Sequence, residues 1–162
     1  MVAHQLIEEA LVDGDIEGLG AFFDDPAFPN VDDPYIPVGL LVRAIDVAPL
    51  EVVAGLLALG ADPNRDASGG FPPLYSAVTG DRADRTRLVG ALLAAGADPD
   101  QRGVNDYTCL HAAAAAGDQE MVDLLLTAGA DPTLRTRIDD FETPAEVAAA
   151  AGHPALARRL AG

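Results

Sequence analysis

The chain has 162 residues, 49% of them hydrophobic, with mean hydropathy +0.16, too apolar for a disordered tail and long enough for one ordinary domain. Aromatics make up 5% and Trp is absent, so the core has to come from Leu, Val and Ala on closely stacked helices rather than from a thick sandwich. Ten Arg, no Lys and 26 acids give a formal charge of -16, a surface that repels nucleic-acid phosphates and anionic lipid and steers basic partners inward at low salt.

The first pattern in the chain is a helix-loop-helix rhythm over residues 6–14 and 15–23, read as an N-terminal cap pair. Glu8, Glu9 and Asp13 sit where a signal peptide would be apolar, with no basic residue ahead of them, so no secretory signal is expected. Residues 24–38, DDPAFPNVDDPYIPV, are too proline-rich for a helix. A short helix then starts at Gly39-Leu40-Leu41, followed by a longer one carrying Val52-Val53-x-x-Leu56-Leu57. Apolar pairs at i, i+1, i+4 and i+5 make one wide stripe on a helix. In Gly60-Ala61-Asp62-Pro63 the Gly ends that helix in a left-handed conformation and the Pro stops any continuation.

This succession returns along the chain. Pro72-Pro73-Leu74-Tyr75-Ser76-Ala77 opens the next short helix, and Leu88-Val89-x-x-Leu92-Leu93 precedes Gly96-Ala97-Asp98-Pro99. Thr108-Cys109-Leu110-His111 opens another, Met121-Val122-x-x-Leu125-Leu126 precedes Gly129-Ala130-Asp131-Pro132, and Thr143-Pro144-Ala145-Glu146-Val147-Ala148 begins the last pair. The three Gly-Ala-Asp-Pro motifs are 36 and 33 residues apart. Thr108 and Thr143 are natural N-caps, and Pro73 and Pro144 suit the first helical position. Ten helices in five antiparallel pairs are therefore predicted. Residues 24–38, the extra residues at 80–85 and the lengthened turn 134–142 read as surface insertions of the kind that often carry recognition.

Residues 108–132, TCLHAAAAAGDQEMVDLLLTAGADP, resemble the ankyrin repeat almost throughout, and the neighbouring units follow the same pattern at the family's period of about 33. The resemblance implies an all-α ankyrin-repeat solenoid of about five stacked helix pairs with divergent terminal caps. One domain would span residues 1–162, with a cap pair at 1–29 and repeats at 30–62, 63–98, 99–131 and 132–162. It also implies that His111 ties its turn to the neighbouring repeat through hydrogen bonds. Functionally it implies a non-catalytic protein–protein interaction module, a small adaptor or inhibitor working through a concave groove.

Phasing on Leu41, Leu74, Leu110 and Ala145 puts Arg43, Ser76, Ala112 and Val147 at one groove position, and Asp46, Thr79, Ala115 and Ala150 one turn further on. Phe71 and Tyr107 stand at turn tips, with Tyr35 and Phe141 close by; such aromatics either anchor a partner or fold back over the turns. The expected partner-binding residues are Arg43, Asp46, Phe71, Tyr75, Ser76, Thr79 and Tyr107. Beyond Ala112 the groove becomes smooth and small. Residues 1–51 hold eleven acids against one Arg, so the N-terminal third would govern approach more than final affinity. Solubility in an acid-rich proteome explains that imbalance as readily as a specific electrostatic role.

Catalytic and metal chemistry find little support. His4, His111 and His153 have no Cys or His placed to complete a metal set. The pairs Asp24-Asp25, Asp32-Asp33 and Asp139-Asp140 lack the alternating ligand loop of a calcium site. Cys109 and His111, two apart at a helix start, do not face each other, and there is no phosphate-binding glycine loop and no nucleophile elbow. No catalytic, cofactor or metal residues are expected. A lone Cys suits a reducing compartment, and Ala- and Arg-rich, Lys-free usage points to a bacterial cytoplasm. The expected partner is an unidentified protein, basic if the charge is functional, with no nucleic acid and no membrane, and the chain is taken as a monomer. Two alternatives stay open: an immunity-type inhibitor of a basic enzyme such as a nuclease, and an accessory protein or enzyme with an unrecognised pocket.

Overall fold

The computed structural model describes residues 2–31, 37–65, 71–137 and 141–162. Among them are ten α-helices and no strand, and the chain divides into two compact units, Met1–Ala97 and Asp98–Gly162. The division falls inside the second Gly-Ala-Asp-Pro motif.

The first unit holds α1 (Val2–Asp13), α2 (Ile16–Phe23), α3 (Leu40–Val47), α4 (Leu50–Ala58), α5 (Pro73–Thr79) and α6 (Arg85–Ala94). Each consecutive pair packs together, α1 on α2, α3 on α4 and α5 on α6. The pairs then stack in two layers, with α3 between α1 and α5, and α4 between α2 and α6. The second unit holds a 3₁₀ turn at Val104–Asp106, then α7 (Cys109–Ala116), α8 (Gln119–Thr127), α9 (Pro144–Ala150) and α10 (Pro154–Leu160). There α7 packs on α8 and α9, and α9 on α10.

Helix ends follow from the local sequence. Gly60, Gly96 and Gly129 have φ of +93°, +93° and +95°, a region costly for any residue with a Cβ. Each donates its N–H to the carbonyl three residues back, and the next Ala donates five residues back, to Leu56, Leu92 and Leu125. This is a Schellman closure repeated three times, sealed by contact between the buried Leu and the buried Ala. At the other ends, the Asp15 carboxylate accepts from Gly18 N–H at 2.8 Å and that of Asp118 from Met121 N–H at 3.0 Å. Thr108 with His111, and Thr143 with Glu146, form capping boxes on α7 and α9.

The turns are stitched from one repeat to the next. The Asn30 amide donates to Gly60 O and accepts from Asp62 N–H, both at 2.8 Å, and Asn64 donates to Gly96 O at 2.9 Å. In the second unit Asp100 does the equivalent, accepting from Asp131 N–H at 3.0 Å. Within each motif the Asp carboxylate accepts from the N–H two residues on, at Asn64, Asp100 and Thr133.

The extra residues at 80–85, read from the sequence as a surface insertion, include a fastener. Arg82 donates to the carbonyls of Ile45 at 2.9 Å and Ala48 at 2.6 Å, satisfying the C-terminal end of α3, and pairs with Asp84 through two bonds of 2.8 Å. The long turn after α8 is fastened too. Asp106, 8% exposed, accepts from Arg102 at 2.7 Å and from Arg137 at 2.7 Å, and Thr136 and Glu142 close the turn with reciprocal 3.0 Å bonds. In the described part of the 24–38 segment, Pro29 and Val31 are buried and Phe28 lies on Phe23 at 6.1 Å between ring centroids.

Candidate partner-binding site

The first unit carries a concavity of about 310 Å³ between the N-terminal helices of two successive repeats. Helix α3 contributes Val42 and Asp46, α5 contributes Ser76 and Thr79, and the segments leading into them contribute Val38 and Phe71. Gly80 closes one edge. Four of the seven expected residues, Asp46, Phe71, Ser76 and Thr79, line this hollow, and Arg43 does not.

The four differ in what they present. Phe71 is 40% exposed, its ring resting 6.5 Å from that of Tyr75. Thr79 donates its hydroxyl hydrogen to the carbonyl of Tyr75 at 2.9 Å. Ser76 is half-buried. Asp46 is the charged member, and burial pushes its pKa above the ordinary carboxylate range, against the opposing pull of Arg43 and Arg82.

Arg43 faces Glu8 of α1 rather than the hollow. Its Nη2 donates to Glu8 Oε2 at 2.6 Å and its Nε to Oε1, whereas its approach to Asp46 is 3.8 Å. These hydrogen bonds lower the pKa of Glu8 and raise that of Arg43. Glu8 was not expected at the site; a residue 35 positions away on the cap leaves no local signal of such a pairing.

Tyr75 does not fit the expected set. It is 7% exposed and belongs to the core of the first unit. The physical reason is its register: with Leu74 aligned on Leu110, Tyr75 occupies the position of His111, whose ring is fully buried. Val147 departs similarly, being 4% exposed on a helix that packs against both α7 and α10. Tyr107 lies in the second unit, half-buried, with its ring 5.4 Å from His111, so it folds back over its own turn. Phe141 is 58% exposed, and Tyr35 lies outside the described residues.

Among the described candidates, Cys109, His111, Asp24 and Asp25 take part in the packing or hydrogen bonding of their own helices and turns. Cys109 is 1% exposed and burial pushes its thiol up to about 12, far from a reactive thiolate. His111 accepts at Nδ1 from Thr108 N–H at 3.2 Å and from the Thr108 hydroxyl at 2.8 Å, so Nε2 carries the hydrogen and donates to Glu142 O at 3.0 Å. His153 lies against Gly117, where an added Cβ would meet its ring at 2.5 Å. Asp24 caps α2 with φ of +42°, and Asp25 accepts from Ala27 N–H at 2.8 Å, so both serve the turn. Asp32, Asp33, Asp139 and Asp140 lie outside the described residues. Among the described residues no group of three or more His, Cys, Asp or Glu is placed to hold a metal ion.

A family model for ankyrin repeats, three copies long, matches residues 40–136 and again 74–162. No curated protein matches the chain. The match covers α3 to α10 and with them the hollow between α3 and α5. With paired helices, Gly-Ala-Asp-Pro closures and a Thr-x-x-His capping box at the family's spacing, the chain belongs to the ankyrin repeat family.

Proposed function

We propose that the chain is a non-catalytic binding protein, a small adaptor or inhibitor, and that its partner docks on the face of the first unit containing the hollow between α3 and α5. Ankyrin repeats are in general protein–protein interaction modules. The observation that carries the proposal is the gathering of an exposed Phe71, two hydroxyl residues and one carboxylate around a hollow also lined by the buried Val42. Aromatic anchors ringed by polar groups make interface hot spots. Arg43 contributes by holding α1 to α3 rather than by touching the partner. Repeats at 30–62, 63–98, 99–131 and 132–162 behind a cap at 1–29 provide the scaffold.

The formal charge of -16 favours one more specific reading, an immunity-type inhibitor that covers a basic enzyme. Among the described residues no helix is long and apolar enough to cross a membrane. A cytoplasmic monomer is the proposed working state. The test is capture on immobilised protein at low and at high salt, with Phe71→Ala beside the wild type. A partner held at high salt by the wild type and lost by Phe71→Ala supports the reading. Equal retention by both, with matched circular dichroism, refutes this face as the docking surface.

A further inference from the structure

Near the hollow, Arg43 and Arg82 pair with Glu8, Asp84 and Asp46, and Asp46 has the longest of these contacts. Arg43 is committed to Glu8 through Nε and Nη2. Arg82 is committed to Asp84 by two bonds of 2.8 Å and to the end of α3 by its contacts with Ile45 O and Ala48 O. Asp46 makes one ion-pair approach, 3.8 Å from Arg43, too long for a hydrogen bond. Its side chain is 49% exposed, and it opens onto the hollow beside Val38, Val42 and Phe71.

We propose that this hollow is a subsite for one arginine side chain of a protein partner, with the guanidinium on Asp46 and the aliphatic stem and fork against Phe71 and Val42. The inference rests on the reading of this face as the docking surface and names the chemistry it selects. At about 310 Å³ the hollow lies at the small end of the range of about 300–1,000 Å³ typical of ligand pockets, the right scale for a single long side chain. An apolar side chain seated there would strip water from Asp46 without replacing its hydrogen bonds, which is costly. A guanidinium supplies planar donors that match a carboxylate, and it stacks on an aromatic face where a more strongly hydrated ammonium does so less well. Burial already holds the Asp46 carboxyl above its ordinary range, so an incoming cation relieves a cost present in the free protein.

The test is an amide chemical-shift titration of the 15N-labelled full chain with N-acetyl-arginine methylamide and with the citrulline counterpart, which is isosteric and neutral. The arginine derivative is expected to shift the amides of Val42, Asp46, Ser76 and Thr79 saturably, with an affinity about fivefold above citrulline, the scale of one charge-assisted hydrogen bond near a surface. Asp46→Asn should bring the two probes to the same affinity, and Phe71→Ala should weaken both. Equal affinity of the two probes for the wild type, or a preference that survives Asp46→Asn, overturns the proposal. N-acetyl-leucine methylamide separates arginine recognition from docking on this face. If it moves the same amides more strongly than arginine does, the arginine assignment falls while the docking face stands.

Discussion

Replacing His111 by Ala probes the device that joins the last two repeats. The side chain is fully buried and ties Thr108 at the start of α7 to the carbonyl of Glu142 ahead of α9. Removing it leaves the Thr108 N–H without its acceptor inside the protein, a cost of about 1–2 kcal/mol, and takes away an inter-repeat bond worth roughly 1 kcal/mol net. Glu142 O keeps its bond from Thr136 N–H, so that carbonyl is not orphaned. The space left beneath the Tyr107 ring adds a cavity penalty of about 1 kcal/mol, for a total near 3–4 kcal/mol. The pH dependence gives a second readout with a defined sign. Burial lowers the folded pKa of His111 below its ordinary 6.5, so the unfolded chain takes up the proton first as pH falls. The contribution is complete above about 6.5, declines as pH drops toward the lowered folded value, and changes no further below it. Urea unfolding followed by circular dichroism at pH 7.5 and pH 5.5 measures both effects. A His111→Ala midpoint equal to that of the wild type with an unchanged slope, or an undiminished stability loss between the two pH values in the variant, would refute this account.

Arg82→Ala should destabilise the first unit by about 1–3 kcal/mol, because the end carbonyls of α3 lose their donor, and a thermal melt that does not shift would contradict the fastening role of residues 80–85. Native Cys109 should stay unmodified by a thiol reagent at pH 8 and react fully in urea; rapid labelling of the folded protein would show that the thiol is neither buried nor shifted upward. Hydrogen bonding from Arg137 holds Asp106 below its usual 3.8, so its contribution is present at neutral pH and lost as pH falls through the lowered folded value. Asp106→Asn, which tolerates the φ of +63° there, should lower the melting temperature at pH 7 and flatten its decline below about pH 4; a parallel decline in both proteins would reject the Arg102–Asp106–Arg137 cluster as a stabilising unit.

What could be read in the chain was whatever is decided within one helix turn. The apolar pairs ending at Leu56-Leu57, Leu92-Leu93 and Leu125-Leu126, followed by Gly-Ala-Asp-Pro, specify a stripe and its closure without reference to distant residues, and the observed closures follow them. The capping Thr108 and Thr143 and the leading Pro73 and Pro144 are local in the same sense. The misreadings concern side chains whose fate depends on a partner about 35 residues away. Arg82 reaches back 37 and 34 positions to α3, and Arg43 reaches 35 positions to Glu8, so neither pairing has a nearby signature. Tyr75 is the instructive case, because its register was available. Alignment on Leu74 and Leu110 equates it with His111, and a position that must be buried in one repeat is buried in the next, whichever ring occupies it.

The pairing of charges gives the net charge a structural meaning. With ten Arg against 26 acids, cations are the scarce groups, and many described ones are used inside the fold. Arg43 holds α1 to α3, Arg82 closes the end of α3, Arg102 and Arg137 fix the 3₁₀ turn through Asp106, and Arg135 joins its turn to Glu146 at the start of α9. These five guanidiniums are hydrogen-bonded to four carboxylates, Glu8, Asp84, Asp106 and Glu146, with Arg102 and Arg137 sharing Asp106. Asp46 is reached by Arg43 only at 3.8 Å, without a hydrogen bond, and it lines a partly apolar hollow. A carboxylate on open surface is solvated and contributes little to recognition, whereas one set between Val42 and Phe71 discriminates by the cost of leaving it unpaired. On the proposed docking, selectivity at this face would depend on the pairing of Asp46 more than on the total of -16. It follows that removing acids elsewhere on the chain should change the rate at which a basic partner arrives, while changing Asp46 should alter which partner stays.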